Sequence, residues 1–178
     1  MAVLVEAISA IVRVQAIDER YGGGWASFVA RAPNKTLCSD NEIARIGFMN
    51  PDDCKAFVDH LDNIGIVFLR DGQAQDVVLA DQLRGFTAPC EWADFGRIEL
   101  NHGQMVSAAQ LQGTGSPQVF CPEGWTYEGS LSQQFGFVPS GGEQKSLRFI
   151  RHEHDLDVYL NTLTGKEVYV GRTGTPFP

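Results

Sequence analysis

Positive charge is in short supply in this chain: 14 Lys and Arg stand against 22 Asp and Glu, a formal charge of −8. A protein that neutralises several phosphates needs clustered Lys and Arg, and no run of the sequence supplies them. Nucleic acid and anionic membrane surfaces are therefore not expected as partners. Catalytic signatures are missing too. The four cysteines, at 38, 54, 90 and 121, contain no C-x-x-C pair, which argues against a zinc knuckle or a redox dithiol. There is no G-x-S-x-G, and Gly22-Gly23-Gly24 is followed by neither the Lys-Ser/Thr of a P-loop nor the spacing of a dinucleotide fingerprint. No apolar run is long enough to span a bilayer. The opening residues lack a basic n-region, and Glu6 and Arg13 interrupt the apolar stretch, so export is not expected. Reduced thiols in a cytoplasmic protein follow from that reading.

What is present is an ordinary globular composition, 43% hydrophobic and 20% charged, with a partial repeat in the first eighty or so of its 178 residues. Ser27-Phe28-Val29 in a helical stretch leads to Leu37-Cys38-Ser39-Asp40-Asn41 and an alternating run ending at Phe48. Ala56-Phe57-Val58 leads in the same way to Phe68-Leu69-Arg70-Asp71-Gly72 and a run ending near Leu79. Each copy reads as helix, strand, turn, strand. Residues 3–14, dense in Val and Ile on both faces, read as one buried strand in front of them. The predicted order is β-α-β-β-α-β plus an extra strand, the ferredoxin-like arrangement of an α+β protein.

The first helix is expected over 18–32, with the three glycines interrupting its stripe, so that either the helix begins near Gly24 or the glycines permit close packing. The second is signposted: Asn50 as N-cap, Pro51 at the first helical position, Asp52 and Asp53 against the positive end of the dipole, Gly65 as the stop. Residues 66–69 and 77–80 read as strands around Asp71-Gly72. From Gly85 the pattern changes to short strand candidates, at 97–100, 105–111, 119–120, 125–127, 135–138, 147–152, 158–160 and 168–170. The division drawn from this is a ferredoxin-like layer over 1–84 and a β-rich antiparallel module over 85–178, the latter either a separate subdomain or an extension of the first sheet in one continuous domain.

Two groups of residues carry functional candidates. Trp125, Tyr127, Gln133 and Gln134 lie in a segment of aromatics and uncharged polar groups, suited to a contact surface for a partner or ligand. The plainer alternative puts Trp125, Phe135 and Phe137 in the core of the β module. His152, His154 and Asp155 form the second group. Two histidines two residues apart on a strand point to one side, where a divalent metal would find both imidazoles and a carboxylate. Solvated histidines near a strand end are the ordinary alternative. No cofactor is otherwise implied, and no nucleophile or base is identified by spacing. Two functions follow: an acidic cytoplasmic protein-binding module, such as an immunity- or antitoxin-type inhibitor of a basic protein, or a small-molecule-binding protein or metal-assisted enzyme using His152 and His154.

Overall fold

The apolar run expected to form one strand forms two. In the computed structural model, which describes residues 1–101, 103–115, 118–134, 147–153, 156–161 and 167–171, β1 covers Ala2–Val5 and β2 covers Ile8–Arg13. Between them Ala7 takes a φ of 50°, in the left-handed region that L-residues with a Cβ rarely occupy. That bend sends β1 into one sheet and β2 into another.

The sheet around β2 is built from the first half of the chain. After β2 come α1 (Val14–Arg20) and α2 (Gly24–Ala30), then β3 (Cys38–Ser39) and β4 (Ile43–Phe48). The single helix expected over 18–32 is thus two short ones, starting earlier. Gly23, at a φ of 88°, caps α2, and a Cβ there would collide with Ser27. Asp18 reaches across the break to accept from the Trp25 N–H at 3.1 Å. The helix α3 (Pro51–Asn63) follows as anticipated, with Asn50 Oδ1 accepting from the Asp52 N–H at 2.7 Å.

The residues expected as a strand at 66–69 behave differently. Ile66 and Phe68 are buried beneath the helices, and only β5 (Leu69–Arg70) pairs, with β6 (Gln73–Ala74). Asp71 and Gly72 link the two at positive φ, as a type I′ hairpin turn requires. The strand that joins the central sheet is instead β7 (Val77–Asp81), followed at the edge by β8 (Gly85–Phe86). The sheet order is β3-β4-β2-β7-β8, antiparallel at every step.

The second sheet mixes both halves of the chain. β9 (Ala93–Glu99) and β10 (Met105–Leu111) form the expected hairpin, and β1 lies between β10 and the short β11 (Val119–Phe120). A boundary at residue 84 therefore crosses this sheet, because β1 hydrogen-bonds to β10 and β11. Residues 125–127 are irregular rather than a strand, lying between turns at 123–124 and 128–129 ahead of the single-turn helix α4 (Leu131–Gln134). A third sheet, β12 (Leu147–Glu153), β13 (Leu156–Asn161) and β14 (Glu167–Gly171), is antiparallel and accounts for the strands expected near the end. The candidate strand at 135–138, with Phe135 and Phe137, lies outside the described residues. So do His102 and residues 164–165 and 173–178.

The result is an α+β arrangement in layers. Alternation along β2 and β4 puts Ile8, Ala10, Val12, Ala44, Ile46 and Phe48 against the helices, with Phe28, Val58 and Leu61 above them. Ile11 and Ile43 face the opposite way, onto Val3, Val5 and Ala109 of the second sheet. Each fully buried Leu, Ile or Phe contributes roughly 1.5–3 kcal/mol, so both cores matter to stability.

The bend at Ala7 yields a direct test. Left-handed backbone costs an alanine about 1–2 kcal/mol, whereas glycine in the unfolded chain forfeits about 0.5–1 kcal/mol. Ala7→Gly should therefore be neutral or stabilising by up to about 1 kcal/mol in urea unfolding, and Ala7→Val should destabilise. A clear loss of stability in Ala7→Gly would contradict the strain.

Candidate functional site

Most of the buried polar groups meet where the two large sheets face each other. Arg45 is only 2% exposed, and Glu6, Ser9, Gln82, Ser107 and Ser132 are buried with it. The register of β2 with β4 explains the placement: Arg45 lies opposite Ile11, on the face turned toward the second sheet. Its Nε donates to Ser9 Oγ at 2.9 Å, its Nη2 to the Glu6 carbonyl at 2.8 Å, and its Nη1 to the Thr36 carbonyl at 3.2 Å. Gly47 leaves room for this, since a Cβ there would run into the guanidinium.

The Glu6 carboxylate faces a different set of donors. Its Oε1 accepts from the Ser132 N–H at 2.9 Å, from Ser132 Oγ at 2.6 Å and from Trp125 Nε1 at 3.2 Å. Gln82 completes the joint: its Oε1 accepts from the Ala7 N–H at 2.8 Å, its own N–H donates to the Ala7 carbonyl, and its carbonyl accepts from Ser107 Oγ at 2.6 Å. Among the described residues no buried side-chain nitrogen or oxygen lacks a partner. A polar network this fully paired rigidifies a core. It ties β1, β2, β4, β10 and α4 together around the bend.

Burial pulls the Arg45 guanidinium below its ordinary value, opposed by Cys38 and Glu6. An arginine nevertheless stays charged. Burial also raises the Cys38 thiol, with Arg45 working against the shift. Cys121 is pushed up to about 11, chiefly by burial, with Cys38 and Glu6 adding to it. Cys54, on the buried face of α3, is pushed to about 12 by burial alone. These environments favour the neutral thiol, the unreactive form.

The segment singled out for contact is bound inward at several points. Trp125 is half-buried, tethered to Glu6, and meets Tyr127 edge-on with ring centroids 6.5 Å apart. Burial raises the Tyr127 phenol, with Glu128 adding to the effect. Gln133 accepts from the Gly129 N–H at 2.6 Å and donates to Glu128 Oε2 at 3.0 Å, while the exposed Gln134 donates its backbone N–H to the Ser130 carbonyl. Trp125 and Tyr127 thus share a core role, packing against the cluster between the sheets. Of the metal candidates, His152 lies in β12 opposite Asp157, while His154 and Asp155 lie outside the described residues. No cluster of three metal-ligating side chains occurs among the described residues.

Two hollows lie away from the joint. One, of about 200 Å³, sits beneath α3 and is lined by Lys55, Val58, Asp59, Asp62, Phe68, Leu69 and Leu79. The other is a depression of about 480 Å³ over β9 and β10, bordered by Asp94, Gly96, Arg97, Ala108 and Gln110. Neither involves a residue chosen from the sequence. Glu6 and Arg45 were also missed, although Glu6 stands out as the one acid in an apolar run.

The tether of Trp125 to Glu6 predicts a graded response. Trp125→Phe keeps most of the ring and loses the indole donor, at a cost of about 1 kcal/mol. Trp125→Ala also loses packing and should cost about 1–3 kcal/mol, measured by urea unfolding. Equal stability of Trp125→Ala and the parent chain would show that the tether is not maintained in solution. For the thiols, the sign follows from burial. A thiol whose folded value exceeds its unfolded value stabilises fully below the unfolded value, near 9, and that contribution falls as pH rises through the folded value. Stability should therefore fall as pH rises from about 9 toward about 12, and Cys54→Ala should show a smaller fall than the parent chain. Against known proteins, the chain matches no family model, no curated protein and no solved structure.

Proposed function

We propose that the chain is an acidic cytoplasmic protein-binding module that docks a basic protein, in the manner of an immunity- or antitoxin-type inhibitor. Its central sheet is read as a ferredoxin-like unit with β8 added at one edge. That reading is supported by the antiparallel order β3-β4-β2-β7, with α1 and α2 connecting β2 to β3 and α3 lying between β4 and β7. Both faces of the sheet are occupied, one by helices and the other by the second sheet. On the helical side, a partner would meet the outer surface of the helices.

The observation that carries the proposal is the outer face of α3. Asp52, Asp53, Asp59 and Asp62 are exposed there against a single cation, Lys55, which pairs with Asp59 at 2.7 Å. Asp18 and Glu19 of α1 are also exposed, with Arg20 beside Glu19. Apolar side chains accompany the charge: Met49, just before α3, is 47% exposed, and Val29 of α2 is exposed as well. Acidic groups around apolar contacts suit a basic partner, the charges setting encounter rate and specificity and the apolar groups supplying contact.

The test is charge reversal with Asp53→Lys and Asp59→Lys together, neither of which accepts a capping bond. Both proteins are used to capture partners from the native host's lysate at low and high salt. The parent chain is expected to retain a near-stoichiometric basic protein, with retention falling at high salt and at least about tenfold in the variant. Equal retention by both proteins, or an acidic partner, would overturn the proposal.

A further inference from the structure

We infer that the hollow beneath α3 is an anchor pocket for one arginine side chain of the partner; this rests on the reading of the chain as a binder of a basic protein. The pocket opens beside the acidic face and combines two chemistries. Its floor is apolar, formed by the buried side chains of Val58, Phe68 and Leu79 with the half-buried Leu69 at the side. Its rim is charged, formed by Lys55, Asp59 and Asp62.

The rim carboxylates are not equivalent. Asp59 Oδ2 already accepts from Lys55 Nζ at 2.7 Å. Asp62 uses Oδ1 to accept from the Phe68 N–H at 2.8 Å and forms no ion pair among the described residues. A carboxylate without a countercharge therefore stands at the mouth of an apolar hollow.

Size and charge together select the occupant. At about 200 Å³ the hollow is smaller than the sites that enclose drug-sized ligands, and it suits a single side chain. An anion would meet two carboxylates, Asp59 and Asp62, against one lysine already paired to Asp59. A purely apolar group would fill the floor but partly shield the second oxygen of Asp62 from water without giving that oxygen a donor, which is costly. A long basic side chain meets both demands, laying its methylene stem on Val58, Phe68 and Leu79 and its cationic head on Asp62. Arginine fits better than lysine because guanidinium is more weakly hydrated and presents paired donors to a carboxylate. Arginine is also among the residues that most often anchor protein interfaces.

The experiment uses n-butylguanidinium as the probe and n-butanol as its uncharged counterpart, each titrated into the ¹⁵N-labelled full chain and followed by amide chemical shifts. Saturable shifts at Val58, Phe68 and Leu79 are expected with n-butylguanidinium, and weaker binding with n-butanol. Asp62→Asn keeps an oxygen for the Phe68 N–H but removes the charge, and should weaken n-butylguanidinium binding by about threefold or more. Leu69→Trp, at the half-buried side of the pocket, should block the shifts while the remaining spectrum stays folded. Three results would overturn the inference: no saturation by about 100 mM probe, equal binding of n-butanol, or unchanged affinity in Asp62→Asn. Because the titration needs no protein partner, its failure removes the pocket alone. Failure of the charge-reversal capture removes the acidic docking face and leaves the pocket measurement standing.

Discussion

Arg45 brings a full positive charge into the seam between two sheets, and the surrounding sequence is arranged to make that tolerable. Removing a guanidinium from water costs several kcal/mol unless its donors are met. Here they are met by Ser9 and by the carbonyls of Glu6 and Thr36, each from a different segment. The Thr36 loop is itself fastened to β4, with Asn34 Nδ2 donating to the Gly47 carbonyl and the Gly47 N–H donating to Thr36 Oγ1. The bend at Glu6 and Ala7 is what turns the Glu6 carbonyl toward Arg45 while its carboxylate meets Ser132 and Trp125. A single residue thus connects the first turn of the chain to a loop about 120 residues later.

Sequence reasoning worked where a local chemical signal decides the outcome. Asn50-Pro51-Asp52-Asp53 announces α3 because capping, fixed φ and helix dipole all act within four residues. Asp71-Gly72 announces a hairpin because few residue pairs accept two positive φ values in succession. The bend between β1 and β2 has no such signal. Ala7 is neither glycine nor proline, and Val and Ile on both sides suit two short strands as well as one long one. Ile66 and Phe68 misled for a related reason: burial under the helices and burial in a strand require the same apolar side chains.

The buried joint was hidden by context rather than by weak chemistry. In β4, Arg45 alternates with Ala44 and Ile46 and so looks like a solvent-facing polar residue. Only the presence of a second sheet against that face makes it an interior cation, and this sheet is assembled from distant segments. Trp125 poses the converse problem. Its composition suggests a recognition surface, but the indole N–H finds a carboxylate inside the protein. Covering both faces of the central sheet also limits where function can reside, shifting attention from the aromatic segment to the helices and the hollow beneath α3.

The position of β1 has a consequence for synthesis. This strand lies inside its sheet, with β10 on one side and β11 on the other, yet it is translated roughly 100 residues before either. At about 5–20 residues per second, some 5–20 s pass between its appearance and that of its neighbours. During this interval Ala2, Val3, Leu4 and Val5 have no permanent sheet partner, although all four end fully buried. Insertion of β1 between its neighbours is therefore a late closure in the nascent chain, and until then that apolar segment depends on transient collapse or a chaperone for shelter.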